Sequence, residues 1–145
     1  ATEIAAKIEA ADGVIIGTPE YDHSIPAVLM SALAWISYGV FPLLNKPVMI
    51  TGASYGTLGS SRAQLQLRQI LNAPEIKANV LPDEFLLSHS LQAFDQNGDL
   101  VDLDVIKKLD AIFDDFRIFV KVTEKLRNAQ ELLRKDAEDF DWENL

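Results

Sequence analysis

Residues Gly13–Pro26 read GVIIGTPEYDHSIP, and this stretch indicates the fold class of the chain. Its first part, Val14-Ile15-Ile16, is a short β-branched apolar run between two glycines, a pattern typical of a buried strand. Thr18-Pro19 ends the strand, because proline has no N–H to donate to a neighbouring strand. A polar turn over residues 20–24 follows, and Pro26 is predicted to open a helix. Open α/β sheets bind ligands in loops at the carboxyl ends of their strands, so we expect the functional site here.

Helices and strands alternate along the rest of the chain. Periodic apolar residues predict helices, and short apolar runs predict strands. The predicted elements are, in order, a helix over 1–12, the strand Val14–Gly17, a helix over Pro26–Tyr38 capped by Ser24, the strand Val48–Thr51, a helix over Ser61–Leu71, a third strand in two pieces (Ala78–Leu81 and Phe85–Leu87) and a helix from Asp102 past Leu126. This alternation predicts an α/β fold with a parallel sheet and right-handed crossovers.

The helical spacing also predicts which side chains are buried. We expect Val28 and Phe113 on the buried faces of their helices. Arg62, Gln66 and Arg68 are expected to point toward solvent or a ligand.

The composition fits one globular domain and argues against several classes of protein. The 145 residues are 48% hydrophobic and 24% charged, which is ordinary for a soluble protein. A net charge of −9 argues against binding to nucleic acid or to an anionic membrane surface. Without cysteine the chain has no disulfide, thiolate zinc site or thiol nucleophile. No signal peptide or apolar run of transmembrane length is found, so a cytoplasmic location is expected.

A second loop of unusual composition follows the second strand. Residues 52–61, GASYGTLGSS, hold three glycines and four serine or threonine residues. Glycine permits positive φ and lets the backbone approach a ligand closely. The loop is neither a P-loop nor a G-x-G-x-x-G fingerprint, but it lies one strand away from the first loop. Both loops are therefore expected at one edge of the sheet.

The two histidines indicate no metal site and no catalytic triad. His23 and His89 lack a second histidine at ligand spacing, and no motif defines a Ser-His-Asp set. We therefore predict no catalytic side chain and no bound metal, and we interpret His23 as a bystander at the mouth of the pocket.

Taken together, the two loops resemble those of the NADPH-dependent FMN reductase family. Residues 18–27, TPEYDHSIPA, match the family's TPEYN-S-PG pattern, and residues 52–68 match its GAS-GG-GG-RAQ-LR pattern. The likeness runs from residue 1 to about residue 123. It implies a flavodoxin-like, doubly wound parallel sheet of three layers. It also implies an enzyme that uses FMN and NADPH or NADH to reduce quinones, flavins, azo dyes or metal oxyanions.

The resemblance further implies which residues contact the cofactor, with the backbone contributing more than the side chains. The expected residues are Pro19, Glu20, Tyr21 and Asp22 in the first turn and Ser54, Tyr55, Gly56 and Gly59 in the second loop. The expected acceptor is a small molecule. The alternative is a non-catalytic flavodoxin-like subunit that has lost flavin binding and serves association.

The sequence departs from the family pattern at three places. Asp22 stands where the family has Asn, and Ala27 stands where it has Gly. The family's first strand and phosphate-binding loop, a G-S-x-R-x-x-S pattern, do not occur in this sequence. Val14–Gly17 would then be an open sheet edge, which favours aggregation. We expect that strand to be paired on both sides, in a homo-oligomer or with a second chain that supplies the first strands.

The resemblance also divides the chain into two parts. Residues 1–125 are expected to form the reductase domain. Residues 126–145 are expected to be a helical extension with an acidic tail, whose Phe140 and Trp142 are candidates for docking. The extension is a candidate for pairing with another subunit.

Overall fold

The computed structural model describes residues 2–138 and confirms the predicted alternation of helices and strands. The helices are α1 (Thr2–Ala10), α2 (Ala27–Ile36), α3 (Ser61–Leu71) and α4 (Leu103–Glu138), and the strands are β1 (Val14–Gly17), β2 (Pro47–Ala53), β3 (Asn79–Val80) and β4 (Phe85–Leu87). A 3-10 turn covers Ser90–Gln92. The predicted acidic tail, with Phe140 and Trp142, lies outside the described residues.

Strand β2 is the centre of a parallel sheet. It pairs with β1 over its first half, with Val14 opposite Val48 and Gly17 opposite Thr51. On its other side it pairs first with β3 and then with β4. β3 and β4 therefore lie one after the other along the same side of β2 and form an interrupted third strand, as the sequence predicts. Pro82 lies in the gap and cannot donate a ladder hydrogen bond.

Strand β1 is at the edge of the described sheet. Its hydrogen-bonded partner is β2, and the side chain of Ile15 is 48% exposed. Neither a bulge nor a charged side chain protects this edge. Pairing of β1 on both sides stays a prediction, because the structure contains this chain alone.

The side chains of β2 alternate between two apolar clusters, one on each face of the sheet. Val48 and Ile50 pack with α2 and α3 through Leu33, Leu67 and other residues. Met49 points the other way and packs against α4 through Ile112 and Phe116. The result is the three-layer α/β architecture that the sequence predicts, with both loops at the carboxyl edge of the middle layer.

The prediction of buried helix faces is partly wrong. Val28 is 78% exposed, and on α4 Phe113 is 45% exposed. Helix α2 is apolar on all sides, so its periodicity could not tell which side faces the sheet. No Asp, Glu, Lys or Arg occurs from His23 to Asn45, and α2 consequently presents a large uncharged apolar surface.

Helix α4 continues without a break past residue 125, where the sequence places a boundary. Up to residue 136, the last buried side chain of this helix is Thr123, and beyond it Leu126 and Leu133 are exposed. The division into a domain and an extension stays a prediction. Of the described helices, none combines the length and apolarity that a membrane span requires.

Candidate active site

The two predicted loops meet at the carboxyl edge of the sheet. The N–H of Thr18 donates to the carbonyl of Thr51 at 3.0 Å and continues the pairing of β1 with β2 into the loops. A hollow of about 360 Å³ opens above these strand ends. Its lining consists of Gly17, Thr18, Pro19, Thr51, Gly52, Ala53, Phe85 and Leu87. Three strands therefore contribute to one open depression beside both loops.

The first loop is a closed turn. Tyr21 and Ser24 exchange two backbone hydrogen bonds of 2.9 Å. Between them, Asp22 and His23 have φ values of 50° and 66°, which few non-glycine residues adopt. Pro19 borders the hollow at the strand ends, whereas Tyr21 and Asp22 line a second hollow, of about 480 Å³, on the side of α2.

Glu20 points away from both hollows and binds the N-terminus of α3. Its carboxylate accepts hydrogen bonds from the N–H groups of Arg62 at 2.9 Å and Ala63 at 3.2 Å, and it forms an ion pair with the Arg62 guanidinium. Burial by itself would raise the pKa of Glu20. The bonds from Arg62 and from the two N–H groups outweigh burial and lower that pKa. A helix N-terminus attracts anions, and here the protein's own carboxylate occupies it.

Ser24 has a different role from the one predicted. Its hydroxyl does not cap α2: the N-cap residue is Pro26, and no side chain makes a capping hydrogen bond there. The hydroxyl donates instead to Oε1 of Gln66, which also accepts the N–H of Ile25 at 3.1 Å. Gln66 was expected to face solvent or a ligand, but it holds the end of the turn.

Two arginines that were candidates for a ligand are already used by the protein. Arg62 pairs with Glu20 and contacts His23. Arg68 donates to the carbonyls of Leu81 at 2.7 Å and Asp83 at 2.8 Å, in the gap between β3 and β4. The sequence could not show this, because both sets of acceptors lie more than ten residues away along the chain.

Within the second loop, Ser54 and Gly59 fix the loop itself. The Ser54 hydroxyl donates to the Gly56 carbonyl at 3.2 Å and accepts the Gly59 N–H at 2.8 Å. Gly59 has a φ of 56°, and a Cβ there would lie 2.6 Å from the backbone of Leu86. Glycine is therefore required at residue 59 by the fold, whatever the loop binds.

Residues Tyr55–Leu58 form the exposed part of the second loop. Their four N–H groups donate to no other described residue, whereas the Gly59 N–H is used by Ser54. Gly56 has an ordinary φ and no atom within 4 Å of a Cβ built on it. Free N–H groups in a row favour an acceptor-rich or anionic group, such as the pyrimidine edge of a flavin. The loop thus fits the cofactor implied by the resemblance.

A buried polar layer, which the sequence did not predict, lies beneath both loops. Gln64 and Ser60 are fully buried, and the Gln64 amide donates to the Phe85 carbonyl at 2.9 Å and to the Ser60 hydroxyl at 3.1 Å. A Cβ on Gly52 would strike the Ser60 hydroxyl. The RAQ segment of the motif was the available signal, but it did not show which way Gln64 points.

His89 also lies next to the second loop, which the sequence did not indicate. Its N–H donates to the Gly56 carbonyl at 2.9 Å, and the Ser90 N–H donates to the Ser54 carbonyl at 2.9 Å. His89 has a φ of 50° and lines a groove of about 430 Å³ with Leu87, Gln92 and Val105. This contact could not be predicted because it joins segments more than thirty residues apart.

The chain is similar in sequence to several known proteins. The sequence model of NADPH-dependent FMN reductases matches residues 1–92. The NADH:(hydroxy)cinnamate reductase subunit CrdA of Vibrio ruber is 51% identical over 143 residues, covering 98% of this chain and 70% of that protein. The NADH-dependent flavin reductase subunit 2 of Lactobacillus johnsonii is 46% identical over 129 residues, covering 85% of this chain and 70% of that protein.

A solved structure shares the fold. FerB, a flavoenzyme NAD(P)H:(acceptor) oxidoreductase from Paracoccus denitrificans, superposes with a TM-score of 0.65 at 26% identity, covering 86% of this chain and 67% of that chain. The flavodoxin-like architecture predicted from the sequence is thereby confirmed.

Proposed function

Because the chain belongs to the NADPH-dependent FMN reductase family, we propose that its two loops hold the isoalloxazine ring of FMN. The family and the relatives make the chain a reductase that uses FMN and NAD(P)H, and they do not favour the non-catalytic alternative. When bound, FMN supplies the hydride-transfer chemistry. What this chain contributes is the placement of the ring and the electrostatics around it.

The observation that carries the proposal is the row of free N–H groups at Tyr55–Leu58. Beside a pyrimidine edge these groups stabilise the negative charge of a reduced ring. Pro19 and Asp22 would border the ring through their backbone, since the Glu20 side chain is used by α3. Ser54 and Gly59 would act indirectly, by shaping the loop.

We further propose that NADH is the preferred electron donor. Recognition of the extra phosphate of NADPH usually needs an arginine close to it. Of the two arginines on α3, Arg62 is engaged by Glu20, and Arg68 is engaged by carbonyls between β3 and β4. The two relatives compared above carry NADH in their names. Steady-state kcat/KM with each nucleotide tests this preference, and a higher value with NADPH would contradict it.

For the acceptor, we propose a flat, conjugated small molecule, such as a quinone, a flavin or an azo dye. The hollow at the strand ends is open and lined mainly by apolar groups and backbone, which suits stacking of a flat ring. The name of the Vibrio ruber relative specifies (hydroxy)cinnamate, an aromatic acid of the same shape class. A panel of these acceptors with one electron donor tests the proposal.

We also propose that the chain works as one subunit of a larger assembly. The open edge of β1 and the uncharged surface of α2 both need covering, and both relatives compared above are named as subunits. The assembly is a homo-oligomer or a complex with a second chain, in which α4 beyond residue 125 takes part. The cytoplasmic location stays a prediction.

The variant Gly56→Val tests the flavin site. A Cβ at residue 56 would have no atom within 4 Å, so the fold should survive a valine there while its bulk blocks the approach of a ring. We expect at least about a tenfold loss of FMN affinity by fluorescence titration. Asn97→Val, in the exposed turn that Asp95 closes, is the control. Unchanged FMN affinity in Gly56→Val would refute the assignment of this loop.

A further inference from the structure

The backbone of the first turn is held in an unfavourable conformation. Asp22 and His23, the two central residues, both lie in the left-handed region. Each non-glycine residue in that region carries a conformational cost, and such residues persist only where their surroundings hold them. The two bonds between Tyr21 and Ser24 close the turn locally. The surroundings that hold it are on α3.

Two anchors on α3 bracket the turn. Before it, Glu20 binds the N–H groups and guanidinium at the start of the helix. After it, Ser24 and Ile25 bind Gln66. Arg62 and Gln66 are four residues apart, so they lie on the same face of one rigid helix. The ends of the turn therefore have a fixed separation that does not depend on a ligand.

Arg62 also reaches the middle of the turn. Its Nη1 lies 2.7 Å from Nε2 of His23. A guanidinium can only donate, so the imidazole accepts and carries its proton on Nδ1. One side chain thus joins the Glu20 anchor to a residue in the left-handed region.

We propose that Glu20 and Arg62 are positioning residues that shape the turn for FMN without contacting it. The inference rests on the proposed function, in which the backbone of Pro19–Asp22 borders the ring. The Glu20 side chain is 8% exposed and turned toward α3, so it orders the backbone instead of contacting a ligand. A turn that is ordered beforehand has less freedom to lose on binding, and FMN affinity rises accordingly.

The test is Glu20→Gln, which keeps the size of the side chain and removes its charge. The amide can no longer pair with Arg62 while accepting two N–H groups. We expect FMN affinity to fall about tenfold at a temperature where the variant is fully folded. The FMN affinity of Arg62→Gln should fall by a similar factor, and the loss in the double variant should be smaller than the product of the two single losses, because both variants remove the Glu20–Arg62 ion pair.

The pH profile tests whether the effect on FMN affinity comes from the charge of Glu20. The pKa of Glu20 is below its ordinary value of 4.5, so the carboxylate contributes above that value and its contribution is lost as the pH falls through the folded pKa. The advantage of the wild-type protein over Glu20→Gln in FMN affinity should be constant near neutral pH and shrink below pH 4.5. Glu84 is an exposed acidic residue, so Glu84→Gln is the matched control. It should change neither the FMN affinity nor the pH dependence of that affinity.

A second readout needs no cofactor. In FMN-free protein, the amides of Tyr21 and Ser24 should exchange with solvent faster in Glu20→Gln than in wild type, since the turn has lost one anchor. Unchanged amide exchange overturns the inference even if FMN binding is never detected. Unchanged FMN affinity in both single variants overturns it while leaving the flavin site intact. A wild-type protein that fails to bind FMN, with faster exchange in the variant, supports the anchoring and refutes the proposed function.

Discussion

At the scale of the residue, Asp22 is the departure from the family pattern with the clearest consequence. It is exposed beside the proposed ring, where a carboxylate opposes the negative charge of a reduced flavin. We predict that Asp22→Asn raises the flavin midpoint potential on the order of 20 mV, the effect of one unit charge across nearby solvent. Asn also tolerates the φ of 50° at this residue. Asp110→Asn, on an exposed face of α4, is the control, and an unchanged or lower potential in Asp22→Asn contradicts the prediction.

Residue roles at the site could be predicted only where they follow from the local sequence. The turn at 20–24 and the glycine-rich loop were identified from composition and motif alone. The directions in which the side chains of Glu20, Gln66 and Arg62 point could not be predicted, because each binds a partner about forty residues away in the sequence. A charged side chain in a loop motif has the same sequence signature whether it contacts a ligand or a helix.

At the scale of the element, Lys46 connects α1 to the sheet. It is buried, and its ammonium donates to the carbonyls of Glu9 at 3.2 Å and Ala11 at 2.6 Å, at the end of α1. Burial, with Arg127 nearby, lowers the pKa of Lys46. We predict that Lys46→Met lowers the free energy of unfolding by about 1–3 kcal/mol, because two carbonyls at the end of α1 lose a charged donor and the link between α1 and the sheet is removed.

Urea denaturation measures this effect, and hydrogen exchange should show α1 opening first. Lys107→Met, at an exposed residue of α4, removes the same charge and should cost little. If Lys46→Met and Lys107→Met lower the free energy of unfolding equally, the contact of Lys46 with α1 makes no specific contribution to stability.

The boundaries of helices and strands could be predicted from the sequence where a strong local signal exists. Pro82 marked the interruption of the third strand, whereas the first helix ends at Ala10, two residues before the predicted end at residue 12. The orientation of α2 had no such signal, since apolar side chains surround it. Orientation of that helix depends on which strands it packs against, and this is information about the tertiary structure.

At the scale of the whole molecule, the edge of β1 decides how this chain behaves alone. An apolar edge strand without a protecting charge pairs with other chains. We predict that the isolated chain associates as its concentration rises and that Ile15→Lys reduces this association, measured by light scattering. Ile4→Lys places the same charge on α1, where the side chain is 52% exposed, and should have a smaller effect. Equal association of wild type and Ile15→Lys would indicate that contacts elsewhere dominate.

The exposed face of α2 also gives the molecule a spectroscopic marker. Trp35 is 64% exposed on that face, and the chain has a single further tryptophan, Trp142. An indole in water emits at a longer wavelength than one packed against apolar groups. In Trp142→Phe protein, the emission maximum of Trp35 therefore reports directly whether α2 is covered. A blue shift of this maximum as the protein concentration is raised would give the concentration at which the subunits associate through α2.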